Sequence, residues 1–283
     1  MTNDQQKAKT EAFRVLHQGK ILILPNAWDA ASARIIQRAG SSAIATTSAG
    51  IAFTLGYPDG QRISREEMLS VVARIAKAVK LPVTADVEAG YGDRPEDAAE
   101  TACAVIEAGG IGMNLEDATG NSARPLVDLP LQIEKIKAAM EAGRALGVPL
   151  VLNARTDVYL AQVGAPESRY QETLLRLTAY REAGADCLFA PGIRDAATIA
   201  KLTEDLKFPV NILAVVGAPS VTELENLGVA RVSVGSGPMR ATLGLIQRFA
   251  RELKQQGTYS ALENAPSYDE INQIMAREIH DLG

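Results

Sequence analysis

Short apolar runs alternate with longer amphipathic stretches at a steady spacing along the chain. The runs are Ile21–Ala27, Ala43–Ser48, Pro82–Glu88, Gly110–Asp117, Pro149–Arg155, Cys187–Gly192, Pro209–Ala214 and Arg231–Gly235. They read as parallel strands buried on both faces, and the amphipathic stretches between them as helical crossovers. Several of those stretches close on one phrase: Arg38-Ala39-Gly40, Glu107-Ala108-Gly109 and Glu182-Ala183-Gly184, with Gly147 and Gly228 in comparable places. A Gly just past the last helical turn takes the left-handed conformation that ends the helix, after which a strand begins. The repeat predicts an α/β fold, a (β/α)8 barrel of the triosephosphate isomerase type. An open doubly wound sheet would want a G-x-G-x-x-G loop after the first strand, and Pro25-Asn26-Ala27-Trp28-Asp29 stands there instead. A helix at about Gln5–His17 and a helical segment over Pro266–His280 lie outside the repeat. No linker divides the chain, so residues 1–283 read as one barrel domain.

Composition narrows the function more than the fold. A formal net charge of −5 gives no basic patch for nucleic acid, and no apolar run reaches the length of a membrane span. The polar stretch Met1–Thr10 lacks the apolar core of a signal peptide, and Cys103 and Cys187 match no redox or metal spacing, so a reducing cytoplasm is expected. Both read as core thiols. The only histidines, His17 and His280, lie far from any predicted strand end. Chemistry must therefore rest on carboxylates, Lys, Arg, Tyr, hydroxyls or metal-bound water.

The active site of such a barrel lies where its strands end. The third run ends in Asp86-Val87-Glu88-Ala89-Gly90-Tyr91, the fourth in Glu116-Asp117 and the fifth in Arg155-Thr156-Asp157. Asp86 and Glu88, two apart, share the interior face of their strand. Burying several carboxylates together is costly unless a cation neutralises them, and an all-oxygen set favours Mg²⁺ or Mn²⁺ over Zn²⁺. Cα atoms two apart on a strand are separated by ~6.6 Å, so Asp86 is the expected direct ligand, with Glu88 and Glu116 acting largely through water. Arg155 offers a planar fork for an anionic substrate, or else pairs structurally with Glu116 or Asp157. Thr46-Thr47-Ser48-Ala49-Gly50 and Gly235-Ser236-Gly237 are weaker candidates for anion cradles.

These segments together, with Leu55-Gly56-Tyr57-Pro58-Asp59 and Asn153-Ala154-Arg155-Thr156-Asp157, resemble the isocitrate lyase/phosphoenolpyruvate mutase superfamily over about Leu24–Arg240. The resemblance implies a Mg²⁺-dependent barrel whose substrates carry or form a 2-oxo acid. It implies Asp86 as direct ligand, with Glu88, Glu116 and Asp59 holding metal-bound waters. It implies an oxo-acid carboxylate site at Thr47, Ser48 and Ala49, a pocket turn at Trp28 and Asp29, and Asn211 lining the site. Arg155 matches the arginine that contacts the substrate's second anionic end. It also implies a homo-oligomer, a dimer or a tetramer, in which the segment Pro266–His280 is either swapped between subunits or packed on its own barrel.

The loop after Glu116 departs from the lyases. Ala118-Thr119-Gly120-Asn121-Ser122-Ala123-Arg124-Pro125 has no Cys, His or Lys in place of their K-K-C-G-H motif. Only Asn121-Ser122 survives of the mutases' Lys-x-Asn-Ser, and this pair is expected to close over the substrate with Arg124. The expected function is that of a Mg²⁺-dependent lyase acting on a small 2-oxo or 2-hydroxy dicarboxylate, by oxaloacetate decarboxylation or C–C cleavage of a substituted malate. Arg155, Glu116 and Tyr91 are the available acid–base and charge-stabilising groups. The alternatives are P–C bond mutase or hydrolase chemistry on phosphonopyruvate, and a non-catalytic 2-oxo-acid-binding barrel.

Overall fold

A computed structural model of the chain describes residues 2–276. Each of the eight apolar runs holds a strand, and all pairings are parallel. The first run is divided: β1 (Leu22–Leu24) and β2 (Asn26–Ala27) flank Pro25. The others are β3 (Ile44–Thr46), β4 (Val83–Asp86), β5 (Gly112–Glu116), β6 (Val151–Arg155), β7 (Cys187–Phe189), β8 (Val210–Leu213) and β9 (Arg231–Ser233). The sheet order runs from β1 through β9, β8, β7, β6, β5, β4 and β3 to β2. Its two ends are halves of one run, so the sheet returns on itself as an eight-position barrel. The break has a local cause. Proline has no N–H to donate, while the Pro25 carbonyl accepts from the Ala45 amide at 3.0 Å and carries the run from one neighbour to the other.

The outer helices are α2 (Ala30–Arg38), α4 (Arg65–Ala78), α5 (Pro95–Glu107), α6 (Leu129–Ala145), α7 (Arg169–Glu182), α8 (Ala196–Leu206), α9 (Val221–Asn226) and α10 (Gly237–Gln256), with a short α3 (Ser48–Thr54) directly after β3. Gly40, Gly109, Gly147, Gly184 and Gly228 all have positive φ, as the repeated helix-ending phrase requires. The N-terminal helix α1 (Asn3–Val15) closes the end of the barrel where the strands begin. Its Phe13 is fully buried among Leu22, Leu24, Ala43, Ala45, Ile111 and Val151. Gln6 donates to the Ile106 and Gly110 carbonyls, and Arg14 pairs with Asp186 at 2.9 Å. With that end plugged, only the opposite mouth is left for chemistry.

At the other terminus α11 (Tyr268–Ala276) lies against α2 of the same chain, where Arg34 donates to the Met275 carbonyl. His280 lies outside the described residues. Cys187 is buried in β7, whereas Cys103 on α5 is only half-buried and is not the core thiol expected. No helix among the described residues is long and apolar enough to cross a membrane.

Candidate active site

Strand alternation separates Glu116 from Asp117. Glu116 points into the barrel mouth, where its carboxylate meets the Arg155 guanidinium at 2.7 Å. Asp117 points outward and is fully buried against α7. It accepts from Tyr180 Oη and Thr156 Oγ1 at 2.7 Å, from the Asp157 amide at 2.9 Å and from Arg176 Nη1 at 3.2 Å. The two neighbouring acids therefore have different tasks: one faces the site and the other anchors it.

Asp86 is the last residue of β4 and is held from both sides. Its Oδ2 accepts from the Ser48 amide at 3.0 Å and the Ser48 hydroxyl at 2.9 Å, and its Oδ1 from Asn114 Nδ2 at 3.3 Å. Glu88 reaches the cluster by a route that simple strand alternation does not describe. β4 has ended, and Glu88 and Tyr91 sit at φ 52° and 56° in the left-handed region that side chains other than Gly rarely adopt. Four hydrogen bonds hold this turn. Gln61 donates its amide to Glu88 Oε2 and accepts the Tyr91 amide at 2.7 Å; the buried Lys135 of α6 donates to the Ala89 and Gly92 carbonyls at 2.7 and 2.9 Å. Strain over-determined by its surroundings is characteristic of functional loops.

The electrostatics follow from this crowding. Burial, then Asp59 and Asp86, push the Glu88 carboxyl up to about 7. Burial also raises Glu116 well above the ordinary carboxylate range, with Arg155 opposing it. Asp59, on an exposed loop, still feels Asp86, Arg155 and Asp157; partial burial and Asp86 raise its carboxyl. The Tyr91 phenol is held well above its usual range by burial and by Glu88, Asp86, Asp59 and Glu116. Glu88 Oε1 and Tyr91 Oη are buried and unpartnered among the described residues. Two polar atoms left free beside four carboxylates suit a cation and a polar ligand. The donors are hard oxygens, which fit Mg²⁺. Among the described residues no three acid, His or Cys side chains close on one point, but a Mg²⁺ that keeps most of its waters needs only one or two carboxylates.

Arg155 is more occupied than a free substrate clamp. Its Nε and Nη2 form a fork on Asp157, its Nη1 takes Glu116, and its guanidinium lies 5.7 Å from the Phe189 ring centre. The structural partnership weighed for it in the sequence is the arrangement seen. Both partners named there are engaged at once, Asp157 because residues two apart at a strand end share a face. Thr47 caps α3, its Oγ1 accepting the Gly50 amide at 3.3 Å. The Ser48 amide and hydroxyl are spent on Asp86, which leaves Ala49, whose first-turn amide has no intrahelical acceptor. Asp29 caps α2, with its Oδ1 on the Ser32 amide at 2.7 Å, while Trp28 packs on the main core beside Gly50. Asn211 is fully buried and bonded to Ser233. The supposed cradle at Gly235 is filled by the protein itself, since Asn26 Oδ1 takes the Val234 and Gly235 amides at 2.9 and 2.8 Å.

Asn121 and Ser122 do not touch the acids. The loop from Ala118 folds on itself through an Ala118–Leu126 bridge, with Asn121 Oδ1 on the Ala123 amide and Arg124 paired with Asp128. A cleft of about 590 Å³ separates this loop from residues 161–164 of the next one and is lined by both Asn121 and Ser122.

Fold and site together define a β/α-barrel with a carboxylate-rich centre at the strand ends. The sequence pattern of the phosphoenolpyruvate phosphomutase family matches residues 13–254, and the chain belongs to this family, within the isocitrate lyase/phosphoenolpyruvate mutase superfamily. It is 44% identical to a solved Burkholderia cenocepacia protein provisionally assigned as a lyase/mutase, with a TM-score of 0.91 and coverage of 96% of this chain and 97% of that one. The 2-methylisocitrate lyase of Escherichia coli is 29% identical over 262 residues, 87% of this chain and 86% of the lyase. An oxaloacetate decarboxylase of Marinomonas sp. is 26% identical, covering 99% of each chain.

Proposed function

We propose that the chain is a Mg²⁺-dependent carbon–carbon lyase, with Mn²⁺ as substitute, acting on a small 2-oxo or 2-hydroxy dicarboxylate. The observation that carries this reading is the convergence of Asp86, Glu88, Glu116 and Tyr91 at one barrel mouth, with Glu88 Oε1 and Tyr91 Oη buried and unpartnered. Asp86, Glu88, Glu116 and Asp59 would hold the cation, which supplies Lewis-acid polarisation of the substrate's oxygen. The chain's own groups do the rest. Ser48 and Asn114 fix the Asp86 carboxylate, and the Ala49 amide is placed for a substrate carboxylate. Arg155 takes the substrate's far anionic end by exchanging one of its bonds to Glu116 or Asp157. The Tyr91 phenol stays protonated at neutral pH and serves as a proton donor beside the acids.

A buried proton donor without a nucleophile favours bond cleavage that needs little beyond charge stabilisation, such as loss of CO₂ from an oxaloacetate-like anion. The likeness to an oxaloacetate decarboxylase and a 2-methylisocitrate lyase supports that class. An exposed apolar series on α10, Leu243, Leu245, Ile246 and Leu253, supports a homo-oligomer. Turnover of oxaloacetate, alkylmalates, methylisocitrate and phosphonopyruvate, with Mg²⁺ and with chelator, tests the proposal. Pyruvate or another 2-oxo acid should form from a dicarboxylate with Mg²⁺, and Asp86→Ala should abolish it. Phosphate from phosphonopyruvate alone would instead favour P–C chemistry, and oxalate binding without any turnover would favour a non-catalytic barrel.

A further inference from the structure

The interior of a β/α-barrel is ordinarily filled by branched apolar side chains. Here β9 turns an arginine inward. Arg231 is fully buried, in register between Leu22 of β1 and Asn211 of β8. In the ring order, β9 is separated from β5 by β8, β7 and β6, so the two strands stand on opposite sides of the barrel. The Arg231 side chain crosses that interior, and its Nη2 donates to Asn114 Oδ1 on β5 at 3.4 Å. Among the described residues no acid lies within ion-pair distance of it, and its Nε and Nη1 have no partner. A buried guanidinium without a counter-ion is destabilising, and a Met or Leu would fill the space at less cost.

The cost is explained by what the contact does to Asn114. Its Oδ1 receives Arg231 Nη2 and also Asn153 Nδ2, at 2.8 Å from β6. Two donors on the oxygen leave the amide one orientation, with Nδ2 facing Asp86 Oδ1 at 3.3 Å. Ser48 holds the other Asp86 oxygen. The Asp86 carboxylate is thus fixed in rotation by a relay that starts across the barrel.

We propose that Arg231 is a positioning residue that acts through Asn114 to orient the Asp86 carboxylate for a divalent cation. The inference rests on the reading of Asp86 as the metal ligand. Groups behind a metal ligand commonly change affinity by about 10–100-fold when removed. The test compares wild type, Arg231→Met, Asn114→Leu, the double variant and Asp86→Ala, by Mn²⁺ titration followed by electron paramagnetic resonance, with thermal melting alongside. Arg231→Met should melt no lower than wild type, because an unpaired buried charge is gone, yet bind Mn²⁺ about ten-fold more weakly. Asn114→Leu should lose a similar factor, and the double variant no more than Asn114→Leu alone. Folded Arg231→Met with wild-type Mn²⁺ affinity, or losses that multiply in the double variant, would overturn the inference and leave the metal reading intact. Wild type that binds no Mn²⁺, or Asp86→Ala that binds it equally well, would overturn both.

Discussion

Replacing Asp117 should cost this barrel a large share of its stability while leaving the acid cluster in place. Asp117 is fully buried and accepts four hydrogen bonds, one of them from the Arg176 guanidinium. In Asp117→Ala the Tyr180 and Thr156 hydroxyls, both fully buried, lose their acceptor, and Arg176 keeps only Glu172 and the Val127 carbonyl. Breaking a buried ion pair from one side costs about 3–5 kcal/mol, and each stranded hydroxyl adds to it. Because Arg176 retains Glu172, the ion pair counts at the lower end of that range, about 3 kcal/mol, and the stranded hydroxyls bring the loss to about 4 kcal/mol or more, against a total of roughly 5–15 kcal/mol for a folded protein. Asp117→Asn keeps one acceptor for the Asp157 amide and should lose about half as much. Urea unfolding at pH 7, with the slope checked for constancy, measures both. The functional consequence follows the same contacts. Asp157 is anchored by Asp117 and in turn holds Arg155, so Asp117→Asn should retain more turnover than Asp117→Ala. A loss below about 1 kcal/mol in Asp117→Ala would refute this account of the anchor.

Two further outcomes are expected. Burial holds His17, which touches Phe13 edge-on, at about 4 instead of 6.5, so its contribution to stability is full above 6.5 and is lost as pH falls through 4. His17→Gln removes the titration; between pH 6.5 and 4 the stability gap should move in the variant's favour by up to about 3 kcal/mol in denaturant melts, and a gap independent of pH would contradict it. Lys135→Met should leave stability within about 2 kcal/mol, since an apolar chain replaces a buried charge, but lower turnover about ten-fold or more by freeing the left-handed turn that carries Glu88 and Tyr91. Unchanged kcat with unchanged KM would remove Lys135 from the positioning of that turn.

Much of the barrel was legible because its signals are local. Burial on both faces marks each strand, and the Gly that ends each helix is required by its own φ. Asp86, Glu116 and Arg155 could be placed at one mouth because strand ends converge there whatever the details of packing. Glu88 was assigned to the right cluster for a geometry that does not hold, since its position depends on Gln61 and Lys135, neither near it in sequence. The Pro25 break was open to anticipation from the missing N–H. The division of labour between Glu116 and Asp117 follows from alternation, but what Asp117 meets on its outer side does not.

By itself, then, the sequence determined the period of the fold, the strand ends and the chemical type of the groups that meet there, because each depends on residues within a few positions. Only the tertiary structure decided which partner each charge takes. Arg155 with Asp157 and Glu116, Asp117 with Arg176, and Arg231 reaching across the interior to Asn114 are settled by proximity in the ring, where β9 stands opposite β5 although 117 residues separate Arg231 from Asn114. Buried charge is stabilised or penalised by its nearest neighbours in space, and a one-dimensional pattern does not specify those.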